Sequence, residues 1–286
     1  MDFPIRKLNR NEWPPLLKHI PDPPEQLYVR GALPPSENIY LAVVGSRQYS
    51  QYGKEAVKQL IGRLSGYPIT IVSGLALGID ALAHEAALEA KLHTIAVPGS
   101  GIDDSVIYPR SHKALAHKIL ERGGALISEF EPTFVSTAWA FPKRNRIMAG
   151  ISKATLVVEA SLKSGTLITS RLATDYNRDV LTIPGSIFSA HTAGPHMLIR
   201  LGATPITESK DILEALGIAE HTSTKTPLDL SPVEQQIYDA LFEPRTRDEI
   251  AAHTRLSIPE LNMHVTLLEL RNILTEVNGT LIRTHH

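Results

Sequence analysis

Six short apolar runs constrain this chain more than any other feature. LAVVGS (41–46), ITIVSG (69–74), TIAVPGS (94–100), TLVVEAS (155–161) and VLTIPGS (180–186) are rich in β-branched residues, and ALISEF (125–130) is a sixth candidate. Amphipathic stretches lie between them, at 54–64, 79–90, 112–122 and 166–176. Continuous apolar strands that alternate with helices imply βαβ units. The expected fold class is α/β, a mostly parallel sheet with helices on both faces.

In such a sheet, ligands bind in the crevice beyond the carboxyl ends of the strands. Five of the runs end in Gly, Ser or Ala. Small residues permit tight turns in any protein, but five together favour an open edge lined with backbone N–H groups, suited to phosphate. The first run ends in GSR, which places Ser46 and Arg47 at the crevice mouth, where an arginine serves as an anion clamp. No dinucleotide fingerprint follows, because Gly45 is succeeded by SRQYS. The second loop, SGLALGIDALAHEA, brings Gly74 and Gly78 to the start of a helix, whose N-terminus offers free donors. Asp80, His84 and Glu85 follow, and they read as a polar helix face rather than a catalytic or metal set.

Two further segments carry charge to the same edge. SLKSGTLITS sets Lys163, Ser164, Gly165 and Thr166 before a helix, but the spacing is not that of a nucleotide-binding P-loop. FPKRNR, 141–146, packs Lys143, Arg144 and Arg146 around Asn145 and directly behind Phe141. A charge run is ordinarily a solvated face. Here Ile147, Met148 and Ile151 follow at once and pin the helix to the core. The expectation is therefore that Arg47, Lys143, Arg144, Arg146 and Lys163 converge on one crevice.

Composition limits what that crevice is for. The 286 residues carry a net charge of −1, so a polyanion must be held by a local patch rather than by the whole surface. There is no cysteine, which removes disulfides and thiol chemistry and fits a reducing compartment. The N-terminus MDFPIRKLNRNEW is too polar for a signal peptide, and no apolar run approaches membrane-spanning length. A cytoplasmic location without membrane attachment is expected.

The chain divides into four parts on this reading. Residues 1–38 form a Pro-rich N-terminal arm, 39–217 the α/β domain, 218–229 a polar linker, and 230–286 a small C-terminal domain. The last reads as helices over 232–241, 247–253 and 258–271, followed by a hairpin with an Asn-Gly turn, which is a winged-helix-like arrangement. From residue 226 onward it holds five arginines against nine acids, a balance of 5 − 9 = −4. A duplex reader needs the opposite sign, so contact with protein or a packing role is expected and a transcription regulator is disfavoured.

The segments GSR (45–47), SGLALGID (73–80), GIDDSVIYP (101–109), FPKRNR (141–146), SLKSGTLIT (161–169), IPGS (183–186) and LIRLGA (198–203) occur in the order in which they stand in the DprA/Smf family of DNA-processing proteins, which the chain resembles over about 39–217. The resemblance implies a Rossmann-like domain that binds single-stranded DNA, a winged-helix-like C-terminal domain, a homodimer, and delivery of incoming single strands to the RecA recombinase in natural transformation. It also implies that Arg47 and the 143–146 cluster form the DNA pocket, with the loops at Gly74 and Gly165 beside it. Many members carry an N-terminal SAM-like helical module, of which PPLLKHIPDPPEQLYVRG here resembles the trailing stretch. AGPHMLIRLGA also departs from the family's usual Gly-(small)-Asn-x-Leu-Ile pattern near its dimer-forming surface.

The leading expectation is thus a non-catalytic, cofactor-free binder of single-stranded DNA, with cations on phosphates and Phe141 stacked on a base. The alternative is a nucleotide-hydrolysing enzyme of the phosphoribohydrolase (lysine-decarboxylase-like) type. Its Pro-Gly-Gly-x-Gly-Thr-x-x-Glu signature is absent, and no carboxylate stands where the glutamate would be.

Overall fold

In a computed structural model the described residues are 3–220, 229–271, 273–277 and 279–283. They divide into two units, Met1–Glu220 and His221–His286. The first opens with two short strands, β1 (Ile5–Lys7) and β2 (Tyr28–Gly31). The alternating region follows as β3 (Ile39–Val44), α1 (Gln51–Gly62), β4 (Ile69–Ser73), α2 (Ile79–Glu89), β5 (His93–Ala96), α3 (Lys113–Glu121) and β6 (Ala125–Ser128). Next come α4 (Ala140–Ile151), β7 (Ala154–Val157), α5 (Thr166–Asp175), β8 (Asp179–Thr182), α6 (Ala193–Arg200), β9 (Thr204–Pro205) and α7 (Ser209–Ala215). All six expected strands are present.

The strands form one sheet in the order β1-β2-β6-β5-β4-β3-β7-β8-β9. From β6 to β9 neighbours run parallel, while β1 and β2 add antiparallel pairs at one edge. The sheet is therefore the mostly parallel, Rossmann-like arrangement that the sequence implied. Alternate strand residues feed two separate cores, because successive side chains point to opposite faces. Leu41 and Val43 of β3 pack with Val57, Ile61 and Ile79 on one face. Val44 and Val157 pack with Ile147, Met148 and Ile151 on the other. The order reverses between β3 and β7: the chain leaves β4 and β5 on one side of β3 and crosses through α4 to β7 on the other. The loops after β3 and β7 thus diverge to opposite faces and leave a cleft between them, the switch point at which open α/β sheets bind ligands.

The first 38 residues correct the sequence reading. They are not an arm apart from the domain. Strand β2 is hydrogen-bonded along β6 from Tyr28 opposite Ser128 to Gly31 opposite Ala125, and Leu17, Ile20 and Leu27 are buried in the same core as α4. Arg30 is buried as well, donating to the carbonyls of Phe3 and Ile102 and to Asp104. Strands of three and four residues among prolines carry too few positions for a period to be visible.

The second unit contains α8 (Pro232–Ala240), α9 (Arg247–Thr254), α10 (Ile258–Leu270) and the hairpin β10 (Leu274–Val277) with β11 (Thr280–Arg283), around a core of its own. Helices α8 and α9 each begin with a reciprocal capping box, Ser231 with Glu234 and Thr246 with Glu249. This is the expected winged-helix arrangement. Asn278 of the Asn-Gly turn and most of the expected linker, 221–228, lie outside the described residues. Four of the five arginines are consumed within the unit. Arg247 pairs with Glu276, Arg271 with Glu234, Arg245 with Glu243, and Arg283 donates to the carbonyls of Tyr238 and Asp239. The exposed side of α10, where a duplex reader would carry its cations, instead shows Met263, Leu267 and Leu270. The acidic balance noted from the sequence is thus matched by a face without free positive charge.

Candidate functional site

The cleft between the β3 and β7 loops is a crevice of about 740 Å³. Gly45 to Gln48 form one wall, Ser161 with Ser164 to Thr166 another, and Phe141, Pro142, Arg144 and Asn145 of α4 the third. The β3 loop is held from below. Ser46 accepts a backbone bond from Ile79 (3.1 Å), and Thr166 Oγ1 donates to the Gly45 carbonyl (3.1 Å), which ties the first wall to the start of α5. Gly78 closes the fit at φ +84: a Cβ there would collide with the carbonyl oxygens of Ser46 and Arg47.

Arg47 is exposed at the mouth, and among the described residues no carboxylate pairs with it. Its guanidinium lies 5.9 Å from the Phe141 ring centroid. That ring is wedged against Gly99, where a Cβ would stand 2.5 Å from Cδ1, and tilts against Tyr108 at 5.7 Å. The mouth therefore combines an unneutralised cation with a positioned aromatic ring. On the opposite wall Ser164 Oγ accepts from the Thr166 amide and donates to Thr166 Oγ1, while the amide of Gly165 has no protein partner among the described residues.

Arg144 lines the crevice but is only 6% exposed. Its Nη1 donates to the carbonyls of Gly74 (2.5 Å) and Val97, and its Nε to Asn145 Oδ1 (3.1 Å). Asp80 answers it, accepting from the amides of Gly74 (3.1 Å) and Ala76 (3.4 Å). Burial pushes the Asp80 carboxyl up, against the pull of Arg144 and of those amides. Burial likewise pushes Arg144 down to about 10, which leaves it cationic at neutral pH. Each is thus bonded to the backbone of the 74–78 loop rather than to the other, and His112 Nδ1 bonded to the Leu75 carbonyl (2.8 Å) completes the lock. Gly74, expected as a phosphate contact, therefore has both its amide and its carbonyl taken by the protein.

The cation cluster does not converge as the sequence suggested. On a helix, residues 141, 144, 145 and 148 share one side and 139, 143 and 146 another. Arg146 is buried in an ion pair with Glu129 and also faces Asp22. Lys143 lies 3.5 Å from Glu129 as well. Neither lines the crevice. Lys163 borders a neighbouring groove of about 960 Å³ beside α5 and α6, whose apolar lining includes Leu167, Met197, Leu198 and Leu201. Ser46, Arg47, Phe141, Arg144, Asn145, Ser164, Gly165 and Thr166 are brought together; Gly74, Lys143, Arg146 and Lys163 are not.

Two acids missed from the sequence shape the site. Asp80, expected in the first turn of a polar helix, is buried there and accepts from the Gly74 and Ala76 amides under the crevice wall. Glu159, at the end of β7, accepts from the amide and hydroxyl of Ser50 (2.9 and 2.5 Å) at the N-terminus of α1. A carboxylate thus fills the anion position that a dinucleotide fold keeps for pyrophosphate. His84 is buried, and burial pushes its imidazole down to about 3; it contacts Thr94 (2.7 Å) inside the core and takes no part in the crevice. Among the described residues no group of three or more His, Asp or Glu side chains is placed to hold a metal, and no helix is long and apolar enough to cross a membrane.

Residues 5–217 match the family model of DNA recombination-mediator protein A, and residues 221–279 that of the DprA winged helix domain. The chain is 40% identical over 281 residues to protein Smf of Escherichia coli, covering 95% of this chain and 75% of that protein. It is 38% identical over 210 residues to the DNA processing protein DprA of Bacillus subtilis, covering 73% and 70%. Among solved structures it resembles DprA of Streptococcus pneumoniae, with a TM-score of 0.69 and 38% identity over 77% of this chain and 75% of that one. DNA processing protein A of Helicobacter pylori, described for its single-stranded DNA binding mode, gives a TM-score of 0.65 and 27% identity over 75% and 96%. With the family's motifs lining the switch-point crevice, and both its domains matched in order, the chain belongs to the DprA/Smf family of DNA-processing proteins.

Proposed function

We propose that the chain binds single-stranded DNA in the switch-point crevice without transforming it. The observation that carries this reading is the pairing of Arg47, which has no carboxylate against it among the described residues, with the positioned ring of Phe141. A phosphate meets the guanidinium and the free amide of Gly165, while a base stacks on the ring, the combination by which single strands are held independently of sequence. The single-stranded DNA binding mode of the Helicobacter pylori relative supports it. Further roles follow from the family resemblance: protection of incoming DNA, help in loading RecA during natural transformation, and a homodimer in the cytoplasm. The apolar groove beside α5 and α6 suits the dimer contact.

The enzymatic alternative is disfavoured by the acids. Asp80 is held by two amides, and Glu159 by Ser50, so neither is placed to relay a proton to a substrate in the crevice. Thr169, at the position of that signature's glutamate, is a buried residue without a carboxyl group. Arg47→Ala should weaken binding of a labelled oligo-dT by about tenfold or more, the scale of a lost charged hydrogen bond. Its melting temperature should stay near that of the parent. Unchanged affinity in fluorescence anisotropy would remove the crevice as the site, and release of free base from AMP would restore the enzyme.

A further inference from the structure

The segment joining β6 to α4 holds an aromatic cluster that the crevice does not use. Phe130 and Phe134 stack with centroids 4.5 Å apart, and Trp139 stands edge-on to both at 5.6 and 5.7 Å. Phe130 is buried, whereas Trp139 is 55% exposed. Lys143, one turn further along α4, sets its Nζ 5.7 Å from the centroids of both Phe130 and Trp139. A lone exposed apolar side chain needs no explanation. An indole fixed by two rings and flanked by an ammonium is a different object, because its orientation is set before any ligand arrives. Stacking on it then carries little loss of side-chain freedom.

The position of the cluster indicates its occupant. Ala138, Phe141 and Pro142 line the crevice, and Trp139 lies between them in the chain, on the other side of the first turn of α4. A strand leaving the crevice past Phe141 and over that turn meets Trp139 next. We propose that Trp139, with Lys143 beside it, is a second stacking station for single-stranded nucleic acid: a base lies on the indole and its phosphate meets the ammonium. This places Lys143 in nucleic-acid contact outside the crevice. The proposal rests on the crevice reading, since the strand must arrive from there.

The test uses the full chain with oligo-dT of increasing length, read by anisotropy and by intrinsic fluorescence. The chain has two tryptophans, and Trp13 is buried at 4% exposure, so Trp139 is the indole a base can reach. Long oligonucleotides should quench the parent, and Trp139→Ala should abolish that quenching. Trp139→Ala should also weaken binding of long oligonucleotides by about 5- to 100-fold, the scale of one base–aromatic stack. The shortest oligonucleotides that still bind should bind it as they bind the parent, and Trp139→Phe should restore most of the affinity. Trp139→Ala loses its edge contacts with Phe130 and Phe134, so its melting temperature should fall by a few degrees while it stays folded at the assay temperature, and Trp139→Phe should melt nearer the parent. If Trp139→Ala binds every length like the parent while Arg47→Ala loses affinity, the station is refuted and the crevice stands. If both variants bind like the parent, the crevice reading has failed and the station with it.

Discussion

Replacing Arg144 by methionine separates two roles that the FPKRNR segment leaves open. If the side chain contacts DNA, the change removes binding and spares the fold. The structure assigns it instead to the interior, donating to the Gly74 and Val97 carbonyls. Arg144→Met leaves two buried carbonyls without their donor and takes a cation away from the buried Asp80 carboxyl. One buried polar group left unsatisfied costs about 1–3 kcal/mol, so the two together should cost about 3–5 kcal/mol. For a unit of some 220 residues each kcal/mol moves the melting temperature by about 2–4 °C, so a fall of roughly 6–20 °C is expected. Urea unfolding followed by circular dichroism measures the loss directly. Adding Asp80→Asn should recover part of it, because the amide oxygen still accepts from Gly74 and Ala76 while the buried charge is removed and only the carbonyls stay without their donor. Oligo-dT affinity should fall in the single variant as the 74–78 loop loosens, and rise again in the double. A variant that melts like the parent and has lost all DNA binding would refute this reasoning and return Arg144 to direct contact.

Two other outcomes follow from the same geometry. Gly78→Ala requires a Cβ at φ +84 and against the Ser46 and Arg47 carbonyls, so it should cost about 2–3 kcal/mol and displace the wall carrying Arg47; a urea midpoint and an oligo-dT affinity equal to the parent's would contradict the fit. His84 is neutral in the fold, with its pKa pushed down to about 3 by burial against an ordinary value near 6.5. As pH falls through 6.5 the unfolded chain takes up a proton that the folded chain refuses. Its contribution is therefore full above that pH and lower by about 2 kcal/mol at pH 5. Urea midpoints at pH 7.5 and 5 should diverge less in His84→Gln, and an identical divergence would show that another group governs acid sensitivity.

The parallel strands were legible because each is a buried apolar run, and their ends announced where ligand loops gather. Strands β1, β2 and β9 were not, being two to four residues long and beside prolines. Within the crevice, Ser46, Arg47, Phe141, Asn145, Ser164 and Thr166 stand where spacing put them. The divergence of Lys143 and Arg146 from Arg144 was readable in principle, since at about 100° per residue positions 143 and 146 fall on the side of a helix opposite to 141, 144, 145 and 148. What no local pattern announces is partnership across the fold: Arg146 with Glu129, Arg144 with the Gly74 and Val97 carbonyls, Ser50 with Glu159. Those contacts turn apparent ligand groups into supports and leave Arg47 at the mouth without a carboxylate partner among the described residues.

The central claim is that a single strand occupies the crevice through its phosphates and bases. The most direct measurement compares a single-stranded oligonucleotide with its duplex over a range of salt concentrations, for the parent and Arg47→Ala. The account predicts tighter binding of the single strand, with log K falling linearly in log salt by about 0.7 per phosphate contacted, and a slope shallower by roughly one such contact in Arg47→Ala. Equal affinity for the duplex, or a slope that Arg47→Ala leaves untouched, would contradict it.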